Sequence, residues 1–319
     1  MPLSVNLTDV ASYLAYVQDY HDQLITRAFY SPRTLQYATV HEGVKGKKTL
    51  TRLKVATGKA VAWKSDFVAA TDAVSFHPRT LEVSAIKRDL SFTPQDFEAT
   101  YLGRFRQQGQ NPGDDLPFEA FILQAILDGH AEELESALWQ AVKTAITPGT
   151  TVMSSCFDGF LHIIADEITA TNVTPVTTPG GAITTTNIVE LLESMWAELG
   201  AAYKEREVFI YMSWANFQKY QQGYRETYGV NSNWNPREAL MTLDFSMNAK
   251  LVPMPGMGSS DRIVMTPRGN LHVGYDDLGD TNMFEFEKSK RQMDFWMDFK
   301  VGAQIAQIDE GALVVNDLT

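Results

Sequence analysis

Cys156 is the one cysteine in 319 residues, so no disulfide can form within the chain and a disulfide-stapled scaffold is excluded. Basic residues are also scarce: 27 Lys and Arg against 39 Asp and Glu give a formal charge of -12. Affinity for DNA or an anionic membrane draws on clustered Lys and Arg, so free association with either is not expected. No apolar run is long enough to span a bilayer, and no signal-peptide pattern is present. These absences point to a soluble protein made in a reducing cytoplasm. Core material is abundant, with 44% hydrophobic residues, enough for one large domain or two ordinary ones.

Residues 1–33 are weakly periodic, and a short helix is expected around residues 10–20. From Tyr37 to Leu90 the chain turns β-branched and Lys-bearing, with GVKGKKTLTRLKV, KAVAW and TLEVSAIK as strand candidates. Gly43, Gly46 and the lysines offer little to bury, which favours a long antiparallel excursion over a compact core. Residues 92–105, opening at Thr93-Pro94-Gln95-Asp96, are expected as a short helix. The strongest helical signal follows Pro117. Phe118, Phe121, Ile122, Ala125 and Ile126 fall at helical spacing, and Leu127, Ala131, Leu134, Leu138 and Ala141 carry the stripe on to Ile146. Such a helix is about 40 Å long at about 1.5 Å per residue. Gly129 inside it costs about 1 kcal/mol relative to Ala, so a bend or a close backbone approach is expected there.

A Thr-, Pro- and Gly-rich stretch over residues 169–186 marks a boundary. Beyond it, Asn187 with Glu190 is an expected capping pair for a helix with the stripe Ile188, Leu191, Leu192, Met195 and Leu199, closed by Gly200. VFIYM from Val208 is a buried strand, Ser213 caps a helix to about Gln222, and Asn235-Pro236-Arg237-Glu238 opens another. KLVPMP follows, then a hairpin, RIVMTPRGNLHVGYDD, turning at Pro267-Arg268-Gly269. Last, Met293, Phe295, Met297, Phe299 and Val301 occupy every second position of a half-buried strand that breaks at Gly302. Trp296 interrupts the charged row on the other face, so that face is expected to be covered.

Little of this is catalytic chemistry. A hydrolase would have to start from Cys156 with His162 or Asp158, and proximity along the chain does not make them face one another. His162, Asp166 and Glu167 have helical spacing for a metal, yet Ile163, Ile164 and Ile168 favour a partly buried structural histidine. Pro255-Gly256-Met257-Gly258-Ser259-Ser260 lacks the Gly-Lys-Ser/Thr ending of a phosphate loop. No catalytic, cofactor-binding or metal site is expected. Lys45, Lys47, Lys48, Arg52 and Lys54 form the one basic run, without the interleaved aromatics of a single-strand binder. It is open whether they are solvated loop charge or pair with carboxylates of another copy, such as Asp114, Asp115, Glu132, Glu133 or Glu135.

In order along the chain stand Gly43-Val44-Lys45-Gly46-Lys47, the helix from Pro117, Phe157-Asp158-Gly159-Phe160, and Thr266-Pro267-Arg268-Gly269-Asn270-Leu271 with Gly274 and Asp276. The ending is Met297-Asp298-Phe299-Lys300-Val301-Gly302-Ala303-Gln304-Ile305-Ala306. With these, the chain from about residue 37 onward resembles the major capsid proteins of tailed bacteriophages with the HK97 fold. The resemblance implies an α+β fold. Residues 1–36 would be an N-terminal arm, 37–90 an extended β-hairpin E-loop, 91–186 a peripheral domain with a spine helix over 117–146, 187–276 an axial domain, and 277–319 strands returning to the peripheral domain.

The resemblance further implies a structural subunit, not an enzyme and without cofactors. It would self-assemble through hexamers and pentamers into the icosahedral or prolate head shell. The protein would reside in the virion after assembly in the host bacterial cytoplasm. It would enclose genomic double-stranded DNA without sequence-specific binding, contact no membrane, and work with separate scaffold, portal and decoration proteins. Lys45, Lys47, Lys48, Arg52, Lys54 and Trp296 are the candidate inter-subunit residues. A fused scaffold is not expected ahead of Tyr37. Covalent cross-links are not expected either, because Asn270 belongs to the hairpin and Asn316 to a terminus expected to be mobile. The alternative is a soluble cytoplasmic enzyme of unknown chemistry that stops at a small closed oligomer.

Overall fold

The alternating stretch near the C-terminal end builds the centre of the larger core. A computed structural model describes residues 29, 31–55, 60, 62, 63, 65, 66, 74–93, 118–228, 241–243, 245, 246, 248–276, 284–289, 292–309 and 311–318. The helices expected around 10–20 and at 235–238 lie outside the described residues, as do part of KAVAW and nearly all of the 92–105 segment.

Strand β11 (Gln292–Ile305) pairs antiparallel with β4 (Ser84–Phe92), β9 (Leu271–Tyr275) and β10 (Phe284–Ser289), and β9 pairs parallel with β1 (Thr39–His41). Met293, Phe295, Met297, Phe299 and Val301 are buried on one face, as the two-residue period requires. The strand does not break at Gly302 but runs three residues past it, because Gly302 keeps its register opposite Gly274.

A second sheet has the order β12 (Val314–Val315), β8 (Val264–Pro267), β5 (Val208–Met212), β7 (Ala249–Pro253) and β6 (Met241–Thr242). Central β5 is buried along its whole length. Phe209 and Tyr211 face the first core, while Val208, Ile210 and Met212 face a second one. Burial on both sides is why VFIYM shows no polar alternation.

Helix α1 (Phe118–Gln140) shares the first core with both sheets and is about 35 Å long at about 1.5 Å per residue. Leu123, Leu127, Leu134, Leu138 and Trp139 form its buried stripe. It ends six residues before Ile146: the next residues extend, with Val142 N donating to Ser154 O (2.9 Å) and Thr144 N to Ser155 O (3.1 Å). The β-branched run Val142, Thr144, Ile146, Thr147 suits that extended path better than a further helical turn. Gly129 marks no close approach, since an added Cβ would meet nothing within 4 Å. The close approaches come from outside the helix, where Cβ atoms on Gly159 and Gly256 would stand 2.7 Å from Trp139 O and 2.3 Å from Glu135 O.

Helix α2 (Phe160–Thr169) packs on α1, and α3 (Ile188–Glu198), α4 (Ala201–Lys204) and α5 (Trp214–Tyr228) belong to the second half. The expected Asn187–Glu190 cap does not form. Asn187 already has helical dihedrals, and its amide turns back to the preceding loop, accepting from Thr184 N and donating to Ala182 O. Ser213 does cap, accepting from Asn216 N at 3.4 Å, and its helix runs on past Gln222 to Tyr228.

The expected hairpin at Pro267-Arg268-Gly269 is a different object. Gly269 makes the turn at φ +79, but β8 joins the second sheet and β9 the first. The Asn270 amide fixes the divergence by donating to Thr266 Oγ1 and to Gln307 O, both at 2.7 Å. Asn316, expected in a mobile terminus, is 1% exposed and accepts from Ile263 N at 2.7 Å.

Candidate assembly surface

Strands β2 (Lys47–Val55) and β3 (Val74–Glu82) pair with each other over their full length and, among the described residues, with no third strand. A two-stranded ribbon is marginal alone in water, so its faces need partners. The inner face carries Lys48, Leu50, Arg52, Arg79 and Leu81. Leu50 and Leu81 are buried, so the excursion buries more than its composition suggested. Arg52 donates to Asp309 Oδ1 (2.7 Å) and Tyr203 Oη (2.9 Å). Arg79 pairs with Glu167 Oε1 (2.7 Å) and donates to Gln304 Oε1 (2.9 Å). The outer face is exposed: Phe76 is 67% and Trp63, beyond the ribbon, 91% accessible.

The root of the ribbon sits in a dent made by two glycines. Gly274 and Gly302 are direct register partners on β9 and β11. A Cβ on Gly302 would stand 1.9 Å from Glu82 O, and one on Gly274 2.9 Å from Leu81 Cδ2. Missing side chains on both strands let Leu81, Glu82 and Val83 cross the sheet at backbone distance.

The face of β11 opposite the core is acidic around Trp296. Register places Trp296 between Asp89 of β4 and Glu285 of β10, with Asp294 and Asp298 beside it and Glu287 opposite Asp294. Lys87 sits opposite Asp298 and pairs with Asp89, whose carboxylate holds the ammonium pKa above its ordinary value. Trp296 is half-buried. Arg88, one residue on, faces the core side instead and pairs with Glu133 of α1.

The basic run does not act as one cluster. Lys45 is exposed ahead of β2. Lys47 lies on the outer face 3.2 Å from Glu82 Oε2, and Lys143 with Lys47 holds that carboxyl below its usual range. Lys48 turns inward, its Nζ 3.0 Å from His41 Nδ1. Arg52 is committed to Asp309 and Tyr203, and the side chain of Lys54 lies outside the described residues. His41 meets His272, 231 positions away, with Nε2 2.7 Å from Nδ1, a contact that no local pattern signals.

Elsewhere the chemistry is structural. Cys156 is buried, its thiol donating to Val152 O at 3.3 Å, and burial pushes its pKa up, away from a thiolate. His162 Nδ1 lies 3.2 Å from Asp158 and 3.4 Å from Asp166 but in hydrogen-bond alignment with neither, and Glu167 is drawn off to Arg79. Among the described residues no group of three or more His, Cys, Asp or Glu could hold a metal ion, and no helix is long and apolar enough to cross a membrane. The Pro255–Met257 stretch is a short turn packed on α1. In the core, Thr34 Oγ1 donates to Glu135 Oε1 (2.7 Å) and accepts from Trp139 Nε1 (2.6 Å), while Thr34 N donates to Glu135 Oε2 (2.9 Å).

No protein-family profile and no curated protein matches the chain. Solved structures do. The procapsid of satellite phage P4, determined with its size determination protein, matches at TM-score 0.57 with 14% identity over 94% of this chain and 98% of that one. A structure from Microbacterium phage Oxtober96 matches at 0.53 with 9% identity over 89% and 90%. The capsid of an empty GTA particle matches at 0.52 with 14% identity over 89% of each chain. The chain therefore has the mixed helix-and-sheet, HK97-like fold of phage capsid proteins.

Proposed function

We propose that this protein is the structural subunit of a tailed-phage head shell, assembling with copies of itself around the packaged genome. The observation that carries the reading is the β2–β3 ribbon, which has an exposed outer face carrying Phe76 and is rooted on a capsid fold. In this reading residues 37–90 serve as the E-loop, with Lys47–Glu82 as its two-stranded part. The α1 helix is the spine of the peripheral domain, and the second sheet with α3 and α5 is the axial domain, clustered with its copies in hexamers and pentamers. An enzyme is not favoured, since the fold is one of shells.

Charge complementarity supports a finer assignment. Lys45 and Lys47 of one copy meet the acidic face around Trp296 of the next, giving register more than affinity. Lys48 and Arg52 contribute by holding the arm at the angle from which the others reach. Double-stranded DNA is enclosed without sequence readout, and scaffold, portal and decoration proteins are the further partners, in the virion after assembly in the bacterial cytoplasm. Electron microscopy and sedimentation of the purified protein test this. Hexamers, pentamers, sheets or shells are expected, and a small closed oligomer with no larger species would overturn it.

A further inference from the structure

Three side chains meet where the arm leaves the first sheet. His41 on β1 and His272 on β9 lie edge to edge in nearly one plane, with ring centroids 4.9 Å apart and planes within 6°. Their nitrogens are 2.7 Å apart, and Lys48 Nζ on β2 lies 3.0 Å from His41 Nδ1. An ammonium has only donors, so His41 Nδ1 must accept. His41 Nε2 then carries the hydrogen and donates to His272 Nδ1, which leaves the His272 proton on Nε2. The chain Lys48 to His41 to His272 is satisfied in this one tautomeric arrangement, with both rings neutral. A proton on His41 Nδ1 would face the ammonium, and a proton on His272 Nδ1 would face the His41 N–H.

We propose that Lys48, His41 and His272 form an acid-opened catch that fastens the root of the arm to the edge of the first sheet. Closed, it ties β2 to β1 and β1 to β9. One added proton removes a hydrogen bond and sets two donors against each other. The charges acting on the rings are Lys48 and the rings themselves. Glu42, next along the chain, is exposed, and β11 presents only Gln304 in register with His272, its amide held by Arg79 and Thr80. Burial and then the cation of Lys48 lower the pKa of His41. Burial, His41 and Lys48 lower that of His272 to about 4.

The sign follows. Both folded pKa values lie below the open-state value of about 6.5, so the catch is fully effective above pH 6.5 and weakens as pH falls toward 4. For His272 alone, the ratio of open to closed catch rises about 25-fold between pH 7.5 and pH 5, and His41 adds in the same direction. The catch belongs to the folded chain and does not depend on assembly.

Hydrogen exchange of the purified protein, corrected for the intrinsic pH dependence, tests it. Between pH 7.5 and 5, protection over residues 39–50 and 271–275 should fall by that factor more than protection over residues 208–212. The H41N/H272N variant keeps small polar side chains without titration and should lose that excess. Should it fail to fold, histidine NMR titration of the wild type decides. Both rings are expected to titrate below 6.5, and Lys48→Met should raise the His41 midpoint. Equal pH dependence in wild type and variant, or a wild-type midpoint at or above 6.5 for either ring, overturns the proposal.

Discussion

Alanine at Gly302 would place a methyl carbon 1.9 Å from the Glu82 carbonyl oxygen and 3.1 Å from Val83 Cα. Non-bonded carbon and oxygen do not approach below about 3 Å, so the Leu81–Val83 crossing must lift by about 1 Å or more. Val83 N to Gly46 O and Gln304 Nε2 to Thr80 O, both 2.9 Å, oppose the lift. Overpacking costs about 2 kcal/mol and each of these bonds about 1 kcal/mol, for about 4 kcal/mol in total. Spread over 319 residues at about 2.1 cal/mol/K each, this lowers the melting temperature by about 6 °C. Calorimetry measures the shift, and hydrogen exchange at Thr80 and Val83 shows whether the arm root is where the strain is released. Gly129→Ala is the control, because it meets nothing and should stabilise the protein by up to about 1 kcal/mol. If Gly302→Ala melts within about 1 °C of wild type with unchanged exchange at the root, the close crossing is not what the glycine is for.

Thr34→Val leaves the Glu135 carboxylate and the Trp139 indole N–H without their shared hydroxyl and should cost about 3 kcal/mol by chemical denaturation; a loss under about 1 kcal/mol would show the network relaxes. His130 is fully buried between Phe29 and Phe299 with neither ring nitrogen partnered, and burial lowers its pKa to about 3. The folded value lies below the unfolded one, so stability is full above about pH 6.5 and drains away toward pH 3. His130→Leu should flatten that loss between pH 6 and 4, and parallel stability profiles for the two proteins would refute the assignment. If basic arms meet acidic faces, raising NaCl from about 0.05 M to about 0.5 M should slow assembly on the order of tenfold by light scattering; a rate indifferent to salt counts against it.

The parts legible in the sequence are those where a period is fixed by a single long element. The alternation from Met293 to Val301, the α1 stripe and the unbroken run of β5 each state which face is buried. Elements set by distant partners were not legible. Val142–Ile146 continues an apolar spacing, yet Ser154 and Ser155 offer its backbone an extended path. Pro267-Arg268-Gly269 has hairpin chemistry, and only the Asn270 bonds to Thr266 and Gln307 send its two arms to different sheets. Asn187 has the residue type of a cap, but the loop before it claims the amide first. Local signals name the turn or the cap residue; which strand or carbonyl it serves is decided across the fold.

Strand register redistributes the charge of the arm. Lys45, Lys47, Lys48, Arg52 and Lys54 look like one basic patch when written in a line, and a patch suggests one anionic partner. A strand presents alternate residues to opposite sides, and the pairing with β3 fixes which side is which. Lys48 and Arg52 fall on the side of Leu50 and Leu81 and are spent on His41, Asp309 and Tyr203 within the chain. Lys47 falls on the side of Phe76 and stays accessible. The inward cations hold the ribbon to its own chain, and in the proposed shell Lys47 is the one left for another molecule. With a formal charge of -12 on every copy, that molecule need be nothing more unusual than the next copy's acidic sheet face.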